Sequence, residues 1–447
     1  MNPALLRAEA LLMLRNRALC LMLAVLAALL LGTGLTTLRD HAATARTFAQ
    51  TEQAERDRWL SQSAKNPHRA AHFGLWVFRA PAPLSAIDPG TDPFVGRMLR
   101  VEAHHPNDPL FLSSLDEGPF HRAGVSTMAD MIALFVPLAA LLLGFASFAA
   151  DRESGRLRMV IGAGGQVLQI ASRRLAIRLA ALAMATGLPM LAIGLMAGGE
   201  IALLIAMLLV ALAYGAVFLA IGMAVSLRAP SSRAALALLL ALWVTLCVLV
   251  PRLATAAVES ALPTPSHTAL LDEAAAINRA YNTPEAAAAR KQQLMTQSAH
   301  MDVGGAMLYN RDHHDNATYD ASLGRMTARL QRQDGWLTVA GLTSPLLPFQ
   351  LANDTLARSG ANDHAAFLQA AEAYRRRMSD LMNLDLRAHP VAAGQTYRAG
   401  RSLFAALPPF VVPQAGMMSL LWPLALLALW LIGSLSFLRA TIRRLRP

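Results

Sequence analysis

The chain is short of cysteine, of aromatic residues and of charge: two cysteines, 6% aromatic and 15% charged residues among 447. Both cysteines, Cys20 and Cys247, fall inside apolar runs. No disulfide framework can therefore support the long polar segments, whose stability has to come from packing. The chain has no G-x-x-x-x-G-K-[ST]. Its Gly162-Ala163-Gly164-Gly165 follows no strand and lacks the lysine that reaches phosphates, so this route to ATP hydrolysis is closed. G-x-S-x-G and H-E-x-x-H are missing as well. His267 and Asp272 match an H-x-x-x-x-D acyltransferase spacing, but two residues at fixed distance among twelve histidines carry little weight. They stand at a helix start after Pro263 and Pro265, where Asp272 suits the helix dipole.

Charge is wholly absent from six stretches: Ala18–Leu38, Met131–Ala150, Leu179–Gly199, Ile201–Leu227, Ala234–Pro251 and Gly416–Leu438. Each is 18 to 27 residues long, and about 20 apolar helical residues cross a bilayer core. Backbone in lipid must satisfy its own hydrogen bonds, so each is expected to be a helix. An A-x-A-like site at Ala43-Thr44-Ala45 raises a cleaved signal peptide. The 21-residue apolar core exceeds the usual h-region of about 7 to 15 residues, so an uncleaved anchor is the expectation.

The basic residues sort to one side. The N-terminus, the loop after the second span, Arg228–Arg233 and the tail hold 15 basic residues against Glu9, Asp151 and Glu153, a net +12. The other 25 basic and 26 acidic residues leave the opposite side at −1. The whole excess of +11 is thus a topology signal that needs no nucleic-acid partner, and both termini are expected in the cytoplasm.

The expected order is an amphipathic helix over 1–17 and spans over 18–38 and 128–150, separated by a first insertion, 39–127. A loop over 151–178 leads to spans over 179–199, 201–227 and 234–251. A second insertion over 252–415, a span over 416–438 and a basic tail over 439–447 complete it. Both insertions are too long to be simple connections. In the second, Leu270, Ala274, Ile277 and Tyr281 recur at helical spacing, as do Tyr319, Leu323, Met326 and Leu330, and Phe367, Ala371, Tyr374, Met378 and Leu381. A further helix is expected at Thr283-Pro284, with threonine as cap and proline at the first helical position. In the first insertion the first span can continue as helix to about Asn66, followed by a short strand in Phe73–Arg79 and loops over Ala80–Pro93. The fold class is all-α and polytopic, six spans carrying a largely helical domain built from the two insertions.

All twelve histidines lie in the insertions. His104-His105 and His313-His314 are the metal-ligand candidates, but neighbouring histidines on one helix point in different directions, and no metal is expected. The twenty methionines include Met184, Met190 and Met196, spaced six apart and so not one stripe; gap-filling is their expected role. Gly194 and Gly198 form a G-x-x-x-G, a weak packing sign. Pro137, Pro189 and Pro423 are expected to kink their spans. No ionisable group lies deep in any span, which argues against a proton-coupled carrier.

Ala149–Gly164 contains Glu153, Gly155 and Leu157, which resemble the E-x-G-x-L segment of ABC-2-type transporter permeases ahead of their coupling helix. Leu5–Arg17, with Glu9, Arg15 and Arg17, is similar to that superfamily's elbow helix. Pro81–Gly90, Glu102-Ala103-His104, Asn107-Asp108, Ser344-Pro345 and the His364–Arg375 helix resemble a bacterial subfamily with large periplasmic domains after spans one and five. That subfamily is known mainly under a domain-of-unknown-function label. Gly164-Gly165 departs from the serine or proline that many relatives carry.

The resemblance implies a bacterial inner-membrane permease subunit, paired with a second permease of the same or homologous sequence and driven by a separate ATPase that binds ATP and Mg. This chain itself would be no enzyme and hold no cofactor. Glu153, Gly155, Arg156, Leu157, Arg158, Arg173 and Arg174 are then the ATPase-coupling residues, with Arg156 and Arg158 facing acidic ATPase groups or lipid headgroups. Topology alone is the competing role for these arginines. The alternative function is a membrane-anchored sensor or scaffold whose insertions bind a periplasmic ligand or partner; the segments on the basic side are too short for an output domain.

Overall fold

The structure, a computed structural model, describes residues 3–104, 107, 110, 127–263, 267–297, 300–392 and 395–445. Helix α1 (Pro3–Arg15) stops at Asn16, whose side chain accepts from Leu19 N–H at 3.3 Å and so caps the next helix. That helix, α2 (Arg17–Leu60), runs unbroken for 44 residues, through the first span and far beyond it. It ends at Leu60, short of Asn66, because Asn66 caps the separate helix α3 (Pro67–Phe73), with Pro67 at its first position.

Strands β1 (Leu75–Phe78) and β2 (Met98–Val101) pair antiparallel, Leu75 opposite Val101 and Phe78 opposite Met98. The second span is α4 (Met128–Phe145), opened by a capping box between Thr127 and Asp130. Short helices α5 (Ala149–Glu153) and α6 (Arg156–Gly162) follow. The third and fourth spans are α7 (Val167–Met196) and α8 (Ile201–Arg228). Six helices among the described residues are long and apolar enough to cross a membrane, which makes this a multi-pass membrane protein.

The fifth-span helix runs on beyond the charge-free stretch. Helix α9 (Ser232–Val244) passes through a π turn, Thr245–Leu249, into α10 (Val250–Ala261), so the helix does not stop at Pro251. In the π register Val250 N–H reaches Thr245 C=O, and the next bond, to Leu246 C=O, is the one proline cannot make. Ser344 supplies it, donating its hydroxyl to Leu246 C=O at 2.5 Å.

The remaining helices are α11 (His267–Tyr281), α12 (Pro284–Gln297), α13 (Val303–Ala340), α14 (Leu346–Ala357), α15 (Ala361–Ala388), α16 (Arg401–Ala406) and the sixth span, α17 (Leu421–Arg443). Ala286 N–H reaches Thr283 Oγ1 at 3.3 Å, so α12 begins at the expected threonine. Pro423 sits in the first turn of α17, where it breaks no helical bond; it is a start residue rather than a kink. Gly198 adopts φ +76 beyond the end of α7, and Gly199 N–H closes on Gly194 C=O at 2.9 Å. Gly198 thus belongs to a Schellman cap, while Gly194 is a close-packing position: a Cβ there would lie 2.6 Å from Leu204 of α8.

Two cores result. The first gathers the spans around α8, with α4 against it so closely that a Cβ on Gly144 would lie 2.6 Å from Leu219 C=O. Helix α14, from the second insertion, joins this core through Leu346, Phe349, Ala352 and Leu356, and Phe349 stacks on Tyr214 at 4.4 Å. Part of the second insertion thus packs on the spans instead of standing off them. The second core is built by both insertions: Trp59, Ala70, Val77 and Val101 from the first meet Phe367, Tyr374, Met378 and Phe404 from the second. Trp59 Nε1–H donates to Phe404 C=O at 2.9 Å.

The expected α15 face is buried at Phe367, Ala371, Tyr374 and Met378. Ile277 on α11 is 48% exposed and does not share in either core, whereas Tyr281 stacks on His314 of α13 at 3.5 Å. The side chains of Leu270, Ala274, Leu323, Met326 and Leu330 lie outside the described residues.

Candidate functional site

The segments without insertions converge at one end of the bundle, the basic end. Arg174 on α7 is the hub. Its Nε lies 3.3 Å from both Glu9 carboxylate oxygens on α1, and its Nη1 donates to Asp151 Oδ2 at 2.7 Å and to Ser147 C=O. Its guanidinium also lies over the Phe148 ring, 4.9 Å from the centroid. With its side chain only 14% exposed, this planar fork is desolvated and pins α1, α5 and α7 together. Asp151 also pairs with Arg156 Nε at 3.1 Å.

Glu153 is exposed, and its Oε1 accepts from Ser232 N–H at 2.8 Å, so the loop after the second span is tied to the start of the fifth. A carboxylate at that position complements the N-terminus of α9. Gly155 takes φ +78, the left-handed region, and turns the chain between α5 and α6 with no neighbour within 4 Å of a would-be Cβ. Leu157 anchors α6, 6% exposed in the span core, while Arg158, Met159 and Val160 point outward, Met159 being 73% exposed. Gly164, φ +75, and Gly165, whose N–H reaches Val160 C=O at 2.8 Å, cap α6 as a Schellman turn. The glycine pair that departs from the permease pattern is thus a helix stop. Arg173 folds onto its own helix, donating to Gln169 C=O at 3.0 Å, and Arg15 and Arg17 are exposed.

At the other end, where the spans meet residues of both insertions, lies a cavity of about 710 Å³ lined by Thr37, Asp88, Asp92, Asp130, Phe349 and Asp354. Asp92 is held between Arg79, at 2.5 Å, and Arg97, at 3.4 Å. Among the described residues Asp88 has no such cation. Burial pushes its carboxyl up to about 7, with Asp130 and Asp92 adding to the rise and Gly90 N–H opposing it. Burial likewise raises Asp354, reinforced by Asp88. Ser359 locks this region: its hydroxyl donates to Asp88 C=O at 2.7 Å, and its carbonyl accepts from Thr91 N–H at 2.9 Å.

The histidines do not distribute as the adjacent pairs suggest. His313 lies 3.3 Å from Asp380 and His314 stacks on Tyr281, so these two point apart. His105 lies outside the described residues. His104 instead joins His68 and His72, which the sequence reading passed over. Their signal was present in the H-x-x-x-H of His68–His72, two residues one helical turn apart.

Among known proteins, residues 273–412 match the family model described as a domain of unknown function, DUF3526. The matched segment runs from α11 past α16 and so contains α13, α14 and α15. No curated protein matches the chain.

Proposed function

We propose that this protein is the membrane-spanning subunit of an ATP-driven transporter of the ABC-2 permease type. It works with a separate ATPase and a second permease in a bacterial inner membrane. Both termini lie in the cytoplasm, the insertion domain lies in the periplasm, and the task is export or the handling of a periplasm-facing substrate. The observation that carries this reading is the α5–α6 pair. A left-handed glycine turns the chain into α6, Leu157 roots it, and Arg158, Met159 and Val160 face outward at the basic end. A short basic and apolar helix rooted in the spans is suited to receive a push from a partner and pass it on through Arg174 to α1 and α7. The cavity of about 710 Å³ opposite it offers space for cargo next to the spans.

A photo-crosslinker placed at Met159 tests the reading. It is expected to capture a soluble-type ATPase subunit bearing a phosphate loop, and the purified chain alone is expected not to hydrolyse ATP. Robust hydrolysis by the isolated chain, or no ATPase captured from Met159, overturns it. Orientation is tested separately in a chain lacking Cys20 and Cys247. Ser61→Cys should react with an impermeant thiol reagent in intact cells and Ser154→Cys should not; both serines are exposed.

A further inference from the structure

Helix α3 is short, seven residues, and is set by Asn66, which accepts from His68 N–H at 3.0 Å, and by Pro67. This fixes His68 and His72 on one face, with their Nε2 atoms 3.2 Å apart. The third ring comes from the turn after β2. His104 holds φ +78, a left-handed conformation that residues with a side chain rarely adopt. That backbone brings its ring within 4.9 Å of the His68 centroid and 4.8 Å of the His72 centroid. One ligand nitrogen from each of the three lies within 4.8 Å of the others.

We propose that His68, His72 and His104 bind one divalent first-row transition ion, zinc being the reference case, with a fourth position open to water or an outside donor. At zinc–nitrogen distances near 2.05 Å, tetrahedral ligand atoms stand about 3.3 Å apart. The His68–His72 separation already meets this, and His104 has to close by at most about 1.5 Å from the 4.8 Å limit.

The surroundings fit a ligand set better than a packing cluster. His104 Nδ1 lies 2.8 Å from Asp312 Oδ1, and Asp312 Oδ2 in turn accepts from Asn383 at 2.8 Å. This carboxylate–histidine pairing presents Nε2 to an ion and fixes the ring, the arrangement that supports most ligating histidines. Asp312, 1% exposed, belongs to α13, so an ion would fasten the first insertion to the second in a domain without cysteines. His68 Nδ1 is buried without a hydrogen-bond partner among the described residues. Glu102 adds negative charge near His72. Arg311 adds positive charge but lies 3.9 Å from Asp315, which offsets it. His72 is exposed, so the fourth position faces outward. The proposal stands apart from the transport reading.

The test uses the full chain in detergent, purified with a tag free of histidine, stripped with chelator and titrated with Co²⁺ under visible absorption. The expected result is one ion per chain with a tetrahedral-type spectrum, displaced by Zn²⁺. Asp312→Asn, a positioning change, should weaken binding about 10- to 100-fold, and His72→Ala and His104→Ala should weaken it further. His313→Ala, at an exposed histidine outside the cluster, should change nothing. His72→Ala carries the decision because its exposed side chain supports no core, and its metal-free unfolding temperature should equal that of the parent. Absence of stoichiometric Co²⁺ binding, or binding that His72→Ala leaves intact, overturns the proposal.

Discussion

Ser344 donates its hydroxyl to the backbone carbonyl of Leu246 at 2.5 Å, filling the bond that Pro251 cannot make. Both groups are buried, so neither has water as a substitute. Ser344→Ala is expected to strand that carbonyl and lower stability by about 1–3 kcal/mol. Adding Pro251→Ala restores an N–H five residues on and should recover part of the loss. Thermal unfolding of the four chains in detergent checks this as a double-mutant cycle; strictly additive effects would count against the assignment.

Arg174→Lys is expected to be a severe change despite the retained charge. An ammonium cannot serve Glu9, Asp151 and the Ser147 carbonyl together, nor lie flat on Phe148. A loss of about 1–3 kcal/mol is expected, together with release of α1. Protease sensitivity of the first 15 residues reads the release, and Glu9→Gln should show a weaker form of it.

Gly155→Ala meets no neighbour but forces a side chain into the left-handed region, which costs about 1–2 kcal/mol. Gly155→Asn tolerates that region better. The amount of ATPase co-purifying with the chain should fall for Ala and stay near parental for Asn, while membrane insertion is unchanged in both. Equal recruitment by all three chains would leave the loop with topology alone to fix.

Asp88 gives the pH dependence. Its folded pKa, about 7, lies above the ordinary value near 4, so the native state holds a proton the unfolded chain gives up. Stability from this group is greatest below about 4 and is lost as pH rises to about 7, at no more than about 1.4 kcal/mol per pH unit. Asp88→Asn keeps an acceptor for Gly90 N–H and should flatten the fall in unfolding temperature between those limits. Asp354, raised in the same direction, leaves a residual slope.

Six spans were legible because lipid imposes a length and forbids charge, and both constraints are local. The continuation of the fifth-span helix was not legible, because the charge-free stretch ends at Pro251 with Arg252 next and a proline gives no sign that the helix goes on. Only Ser344, 93 residues further along, makes the π turn tolerable. Helix α14 was missed because its twelve residues are too few to span and its partner Tyr214 is remote in sequence. At the basic end, Glu153, Gly155 and Leu157 were named, but the pairing of Arg174 with Glu9 could not be, since 165 positions separate them. The histidines show the same limit. Adjacent pairs drew attention, whereas the cluster joins one helix turn to a residue 32 positions beyond it.

Helix α2 is a single rod of 44 residues, about 66 Å long. One end abuts α1, which Arg174 holds to α7 through Glu9; near the other, Trp59 is sealed into the second core. Along it no proline interrupts the helix, so it behaves as a lever arm rather than a hinge chain. Each degree of tilt about the Arg17 end moves the Trp59 end by about 1 Å. A rocking of ten degrees would sweep the insertion domain sideways by roughly the diameter of a helix.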